Sequence, residues 1–416
     1  MQFAALTMPG VPSGELAVEL IVVGGGLTGL TLGIACAGAG VEVAVIDRES
    51  PATMLAEPFD GRTTAIAHGS QQVLEAIGLW RRVAEGAEPI REIRVADGGS
   101  PLFLHYDHRE LGDAPLGYIV ENRKLRQALM AEAASLPRLR HLAPAAVERV
   151  EREEARAVAH LADGGRVTGA LVAACDGARS PLRGAAGIKT IAWNYPQVSI
   201  VCTVRHALPH RGVAVEHFLP GGPFAILPMT GNRSSIVWTE SAALAPALLA
   251  LDEADFMQEL GRRFGDYLGA LALEGPRWSH PLSLLHAERY AAPRLALVGD
   301  SAHVIHPIAG QGFNLGIRDV AVLAELIVDA RRLGLDIGGA LLLERYERWR
   351  RFDNVMLAAV TDGLNRLFSN ALPGITLARD LGLAAVDRLP PVKRFLMRHA
   401  MGVIGDLPRL VRGEPL

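Results

Sequence analysis

Cysteine is scarce in this chain, and an excess of either charge is missing. Cys36, Cys175 and Cys202 are the three cysteines in 416 residues, and no C-x-x-C pair occurs. This excludes a disulfide framework or a thiolate zinc site and leaves three small buried residues of a reducing compartment. A net charge of −3 gives no electrostatic footprint for nucleic acid. No internal repeat or long low-complexity linker interrupts the chain; 138–166, rich in Ala, Arg and Glu, is expected to form a surface hairpin and helix. Residues 1–17 lack the basic and apolar parts of a secretory signal and are expected to form a flexible tail. No G-x-S-x-G elbow occurs. His303 and His306 are spaced like a metal pair but have no third ligand at zinc-like spacing, so no metal site is expected.

What is present is a generous apolar core and glycine in telling places. Half the residues are hydrophobic and the mean hydropathy is +0.21, enough for two or more packed units. The stretch 20–41 carries no charge and is long enough to span a bilayer. Its seven glycines, three of them consecutive, make a poor helix interior, so a strand–turn–helix unit is the better reading. Leu20–Val23 is an apolar strand, Gly24, Gly26 and Gly29 have G-x-G-x-x-G spacing around Leu27 and Thr28, and 30–39 reads as a helix. Val41–Ile46 is the next strand, closed by Asp47. The first glycine makes the turn, the second admits a pyrophosphate, the third lets helix pack on strand, and the acid accepts from ribose hydroxyls.

A second signal lies near the other end. Leu295–Val298 reads as a buried strand that stops at Gly299-Asp300. After Pro307 come Gly310, Gly312 and Gly316, opening a helix whose free N–H groups suit an anion or an electron-rich carbonyl. Two such signals predict one cofactor held by both ends of the fold. Between them, the apolar run Ala170–Cys175 leads into Asp176-Gly177, with Ser180 as N-cap and Pro181 at the first helical position.

Together, Gly24/Gly26/Gly29 with Asp47, Asp176-Gly177 with Ser180 and Arg183, and Gly299-Asp300 with Pro307 and Gly310-Gln311-Gly312 resemble the three fingerprints of the group A flavoprotein monooxygenases, aromatic hydroxylases related to para-hydroxybenzoate hydroxylase. Phe59–Ala67, Gly78-Leu79-Trp80, Val120–Leu129, Gly222–Pro228 and the run from Arg345 to Phe368 are similar to the ubiquinone-biosynthesis hydroxylases of that family. The likeness covers roughly 18–405.

The resemblance implies an α/β fold: a Rossmann-like FAD-binding domain interleaved with a β-sheet substrate domain, followed by a helical C-terminal region. The FAD domain is expected from 18–80, 110–190 and 290–345, the substrate domain from 81–109 and 191–289, and the C-terminal region from 346–416. Strands are expected at Val198–Arg205, Gly212–Phe218, Phe224–Met229 and Ser234–Thr239, and helices at Ala250–Phe264 and Ala321–Leu333. The region from about 340 onward is expected to be helical, with a break at Leu389-Pro390-Pro391.

The family's functional residues map onto this chain as follows. Gly24, Gly26, Leu27, Thr28 and Gly29 would meet the FAD pyrophosphate, and Asp47 the adenosine ribose. Arg48 would lie near the adenine or on the solvated surface. Asp300 would bond the ribityl or pyrophosphate portion. Pro307, Gly310, Gln311, Gly312, Phe313 and Asn314 would lie against the isoalloxazine, where a helix N-terminus stabilises the negative charge of reduced flavin. Asp176 and Arg183 would serve FAD packing and nicotinamide docking, or a structural role alone. Arg62 would lie close to the flavin. Asn122 stands where the wider family often has arginine, with Arg126 as the alternative contact.

The implied reaction consumes O2 and electrons from NAD(P)H or an external reductase. It passes through a flavin hydroperoxide and hydroxylates the ring of a polyprenyl phenol. Such an enzyme needs a dry apolar pocket rather than a triad, and Gly222, Pro223, Phe224, Leu227 and Pro228 are its expected wall. No second G-x-G-x-x-G with an acid occurs, so a nicotinamide cofactor would bind transiently. The alternatives are an FAD monooxygenase or epoxidase of another aromatic or isoprenoid, a halogenase (whose W-x-W-x-I-P is missing), or a non-catalytic flavoprotein scaffold of a biosynthetic complex. A cytoplasmic location is expected. The basic, apolar stretch Val392–Met401 would be a helix packed on its own domain, or a contact with the inner face of the membrane or with a partner in ubiquinone biosynthesis.

Overall fold

The computed structural model describes residues 15–56, 60–98, 103–368 and 386–416. The tail expected at 1–14, Phe59 and the C-terminal stretch 369–385 lie outside them. Glu15–Ala17 departs from the tail expectation: it is a strand, paired in parallel with Arg166–Thr168.

Short apolar strands buried on both faces build the first sheet, the pattern that parallel sheets need. Its order is Ala291–Ala292, Leu295–Leu297, Leu171–Ala174, Leu20–Val23, Val43–Ile46, Leu139–Leu142. All neighbours are parallel except the first pair. The helix Leu27–Gly38 crosses from Leu20–Val23 to Val43–Ile46, and a Cβ on Gly33 would stand 2.7 Å from Val45 Cγ2, so only glycine lets this helix lie so low. The three sequence motifs therefore end at the same rim, the carboxyl ends of adjacent strands, where ligands bind in open α/β sheets. Helix Gln311–Arg332 packs beside this layer, and helix Ala340–Phe368 is tied to it by Tyr346, whose hydroxyl donates to the Leu297 carbonyl at 2.7 Å.

The second large sheet has eight strands, in the order His303–Val304, Leu271–Ala287, Thr190–His206, Arg233–Ser241, Gly222–Met229, Val213–Leu219, Glu92–Asp97, Phe103–Asp107. Strand alternation divides its residues between two faces. Ile200, Phe224, Ile226 and Trp238 turn to one side and form a core with Phe256, Leu260 and Phe264 of helix Glu253–Phe264. Ser199, Val201, Pro223, Ala225, Leu227 and Val237 turn to the other and line a cavity. A three-stranded sheet, Thr63–Ala67, Gly117–Glu121, Ala87–Ile90, lies between the two large sheets in the chain's path.

Three expectations are corrected. The 138–166 segment contains no helix; Leu139–Leu142 joins the parallel sheet, and Val147–Arg152, Ala157–Leu161 and Arg166–Gly169 form an antiparallel sheet with Glu15–Ala17. The repeating Val-Glu-Arg of 147–152 places charge at solvent positions of a strand as readily as of a helix. The helix expected at 250–264 is two, Ala245–Ala250 and Glu253–Phe264, because Asp252 caps the second by accepting from Asp255 N at 2.9 Å. The last helix starts at Pro390 and stops at Ala400, and beyond it the chain makes only the short 3-10 turn Arg409–Arg412.

Candidate active site

At the N-terminal turn, glycine is demanded by contacts of two kinds. Gly24 adopts φ +104°, and a Cβ there would sit 2.2 Å from the Cys175 carbonyl oxygen; on Gly29 it would sit 1.9 Å from the Gly24 carbonyl oxygen. These two let strand, turn and helix touch. A Cβ on Gly26 would meet nothing within 4 Å. Gly26 is the N-cap of Leu27–Gly38 and has no side chain to satisfy the helix's first N–H groups. An uncapped helix end facing open space suits an anion.

Asp47 closes the neighbouring strand. Its carboxylate accepts from Gly25 N at 2.5 Å and from Glu49 N at 2.8 Å. His141 Nε2 borders the same glycine; it is buried and has no hydrogen-bond partner among the described residues. Burial pushes this histidine below its usual pKa, against the pull of Asp47. Arg48 points away from the site: its side chain is 78% exposed and pairs loosely with Glu49 at 3.7 Å.

The middle motif is bound to the C-terminal one. Arg183 donates to the Ser301 and Ala178 carbonyls, each at 2.8 Å. Ser301 Oγ donates to the Ala174 carbonyl at 2.6 Å and accepts from Val298 N at 2.9 Å. Asp176 Oδ2 accepts from Leu182 N at 3.2 Å, while Oδ1 is buried without a partner among the described residues. Burial raises the Asp176 pKa, and its hydrogen bonds and Arg183 only partly offset this.

Asp300 is enveloped by protein yet open to water, as expected for a side chain at the base of a ligand-sized groove. Burial raises its pKa against the opposing charges of His303 and Arg62. Arg62 is held at the same groove by Asp60, donating at 2.9 and 3.2 Å. Asp60 also accepts from Asn122 Nδ2 at 3.0 Å and Arg126 Nη2 at 2.5 Å. Burial opposes ionisation of Asp60, but these partners, Arg62 foremost, hold its pKa well below the usual range. Asn122 and Arg126 are thus brought together around a carboxylate to which the sequence alone assigns no role, although it stands within the family-like run Phe59–Ala67.

The glycine-rich turn follows. Ile308–Gly310 is a 3-10 turn, and Gly310, at φ +61°, is the uncapped N-cap of Gln311–Arg332. A Cβ on Gly310 would lie 2.8 Å from Ala65 Cβ, and one on Gly312 would meet nothing within 4 Å. The Asn314 side chain is fully occupied: its amide donates to the Ala65 and Gly310 carbonyls, and its oxygen accepts from Ala67 N at 2.9 Å. It sews helix to strand, leaving only backbone for a ligand. Phe313 packs onto the parallel-sheet core. Gln311 Nε2 reaches the Ala400 carbonyl at 3.4 Å.

In front of Pro307, Gly310, Gln311 and Asn314 lies an apolar cavity of about 1090 Å³, bounded by the free face of the eight-stranded sheet, by Ala65–Ala67 and by Met397 and Met401. Of the expected wall, Pro223 and Leu227 line it. Phe224 does not: alternation turns it to the opposite face, fully buried with its ring 6.1 Å from Trp238. Gly222 and Pro228 are also outside the lining; Gly222 is buried against Thr239 and Gln197. His303 Nε2 bonds Asp319 at 2.6 Å, and His306 is buried with both ring nitrogens unpartnered among the described residues, its pKa pushed down to about 4 by burial. Among the described residues the pair belongs to no group of three potential ligand atoms. Among the described residues Glu92, His105 and Asp107 bring three ligand atoms together, but Glu92 and Asp107 are already engaged by Arg94 and Arg109.

A parallel sheet with two uncapped, glycine-opened helices at its carboxyl rim defines a dinucleotide-binding protein. The chain belongs to the FAD binding domain family, whose pattern matches residues 17–352. It is 52% identical over 413 residues to the ubiquinone hydroxylase UbiL of Rhodospirillum rubrum, covering 99% of this chain and 96% of that protein. It is 34% identical to the 3-demethoxyubiquinol 3-hydroxylase of Escherichia coli, covering 92% and 98%. Its fold matches the crystal structure of p-nitrophenol 4-monooxygenase from Pseudomonas putida with a TM-score of 0.78 at 20% identity, covering 93% and 98%.

FAD fits the residues present. The open space at Gly26 and Gly312, the unpartnered His141 Nε2 and Asp176 Oδ1, and the water-accessible Asp300 leave unused hydrogen-bonding capacity beside the strand ends and the glycine-rich turn.

Proposed function

We propose that this protein is an FAD-dependent monooxygenase that hydroxylates the aromatic ring of a polyprenylated phenol in ubiquinone biosynthesis. The observation that carries the reading is the apolar cavity placed directly against the glycine-rich turn Pro307–Asn314. The relatives named above, matched along nearly their whole length, support the substrate class.

In this reading the FAD-holding unit is drawn from 18–80, 110–190 and 290–345. The amides of Gly26, Leu27, Thr28 and Gly29 hold the pyrophosphate, and Asp47 the adenosine ribose. Asp300 holds the ribityl chain, and the backbone of Pro307 and Gly310–Asn314 faces the isoalloxazine, with Arg62 at its edge. Bound FAD supplies the activation of dioxygen. The protein binds the ring, keeps water out through Val201, Ala225, Leu227 and Ile308, and orients the ring against the turn. Electrons come from NAD(P)H or a reductase. Among the described residues no helix is long and apolar enough to cross a membrane. Helix Pro390–Ala400 buries Lys393 and Met397 and turns Val392 and Phe395 (57% exposed) outward beside Arg394 and Arg398; this outer face is the reading's contact with the membrane that holds the lipid substrate.

The test supplies purified holoenzyme with a farnesylated phenol, NADH or NADPH and isotopically labelled dioxygen. One labelled oxygen in the ring, with reductant oxidation stimulated by the phenol, is expected. An unlabelled phenol recovered under all conditions would end the reading.

A further inference from the structure

One ionisable side chain stands out on the cavity wall. Glu216 lies on strand Val213–Leu219, opposite Ala225 on one neighbouring strand and Val95 on the other. All three line the cavity. Two residues back, Ala214 packs with Met397 and Met401 of the C-terminal helix segment; two residues on, Phe218 packs against Ile308 of the glycine-rich turn. The carboxylate therefore sits between the flavin-side turn and the far wall, two residues along the strand from the side chain that meets each. Among the described residues it makes no hydrogen bond or ion pair. The other titratable or charged groups on the lining are Tyr106, Arg62, His280, His306 and His399, none of them bonded to it.

A lone carboxylate in an apolar wall is costly unless something uses it. The substrate ring, in the reading above, carries a hydroxyl that must be bonded inside this cavity. We propose that Glu216 is the catalytic residue that accepts the hydrogen bond of the phenolic hydroxyl and takes its proton as the ring is oxygenated. The proposal rests on the hydroxylase reading and names the proton acceptor for it.

The step balances. The phenol O–H bond breaks and its proton passes to the carboxylate, while the electron pair moves into the ring. A ring carbon forms a C–O bond to one atom of dioxygen, and the O–O bond breaks. The other atom leaves as water, taking the two electrons and one proton from the hydride of the nicotinamide-class reductant and a second proton from solvent. The proton lost from the ring carbon restores aromaticity and passes to the newly added oxygen, and Glu216 returns its proton to the phenol oxygen. Burial, with no opposing charge, raises the Glu216 pKa to about 7. Such a group is a stronger base than an ordinary carboxylate and is still ionised near neutrality.

The experiment uses oxidised holoenzyme with Glu216→Gln and Glu216→Leu, each first checked for bound flavin and an unchanged melting temperature. Calorimetry compares 2-farnesylphenol with its O-methyl ether, a readout independent of turnover. At pH 8 the wild type is expected to favour the phenol about tenfold, and Glu216→Leu to bind the two within twofold. Both variants are expected to lose about 100-fold in kcat. The wild-type kcat/KM should fall tenfold per pH unit below about 7, and this limb should be absent from Glu216→Gln. A Glu216→Leu protein that keeps both the tenfold preference and the acid limb overturns the proposal. Wild-type holoenzyme that binds neither compound overturns the hydroxylase reading beneath it.

Discussion

Asp319 and Arg350 meet at 2.8 Å, Oδ1 to Nε, with both side chains out of water. The same carboxylate accepts from His303 Nε2 at 2.6 Å, from Gly299 N at 3.0 Å and from Asn354 Nδ2 at 3.3 Å. One buried anion thus joins helix Gln311–Arg332, helix Ala340–Phe368 and the turn that presents Asp300. Replacing it by alanine takes the buried carboxylate from Arg350, which keeps Asp353 at 2.9 Å and Asn354 at 2.8 Å, and leaves His303 and Gly299 N without their acceptor; breaking a buried pair in this way costs up to about 3–5 kcal/mol. Asp319→Ala is expected to show that loss in denaturant unfolding, and to release flavin more readily because Gly299 loses its anchor.

The same carboxylate sets an acid limit. Burial would raise its pKa, but the charges and hydrogen bonds of His303 and Arg350 win and hold it at about 2. A depressed folded-state value means that the stabilisation is present above the unfolded value of about 4 and is lost as pH falls toward 2. Unfolding free energy measured from pH 5 to 2.5 should decline more steeply in the wild type than in Asp319→Asn. Parallel slopes would refute the assignment.

Gly26 and Gly29 separate binding from folding. Gly26→Ala places a methyl in open space at the position proposed for the pyrophosphate, so melting should be little changed while FAD affinity drops at least tenfold. Gly29→Ala drives a Cβ onto the Gly24 carbonyl, and both melting temperature and flavin content should fall. Absorbance of the purified variants and their thermal scans give both readouts. Equal flavin content in Gly26→Ala and wild type would remove the pyrophosphate from that place.

Two residues on opposite faces of strand Gly222–Met229 should behave in opposite ways. Phe224→Ala empties a packed core position against Trp238 and should cost about 3–5 kcal/mol of stability, with KM for the phenol unchanged in the surviving folded fraction. Leu227→Trp fills the cavity and should raise KM at least tenfold with little loss of stability. Reversed outcomes would mean that the cavity opens on the other face of the sheet.

Asp60 holds Arg62, Asn122 and Arg126 together. Asp60→Asn keeps its shape but discharges the hub and frees Arg62 from the groove. Thermal unfolding should shift down, and a flavin contact made by Arg62 should weaken. An unchanged flavin dissociation constant would show that Arg62 takes no part in holding the cofactor.

The nucleotide-binding half was legible because its signals are local. Gly29 is demanded by the Gly24 carbonyl five residues before it, Gly24 by the positive φ of the turn as well as by the distant Cys175 carbonyl, and Asp47 ends the next strand, so spacing alone locates them. The strands of the eight-stranded sheet were legible as runs, but a run does not say which face meets a cavity. For want of that knowledge the run places Phe224 in the wall, and in the sequence Glu216 is one acid within a strand. The 3.3 Å step of a strand turns neighbours to opposite sides, so the parity of Ala214, Glu216 and Phe218 was available, but not what each side faced.

By itself the sequence determined that two glycine-opened helices follow apolar strands and that the chain buries a large core. Only the tertiary structure decided which carboxylates matter. Asp60 joins its chain neighbour Arg62 to Asn122 and Arg126, 62 and 66 residues away, Asp319 meets groups 16 to 35 residues away, and Glu216 is flanked by Ala225 and Val95, 9 and 121 residues away. Such contacts are made by strand order and helix packing, and a carboxylate's pKa and role follow from what the fold sets beside it rather than from its neighbours in the chain.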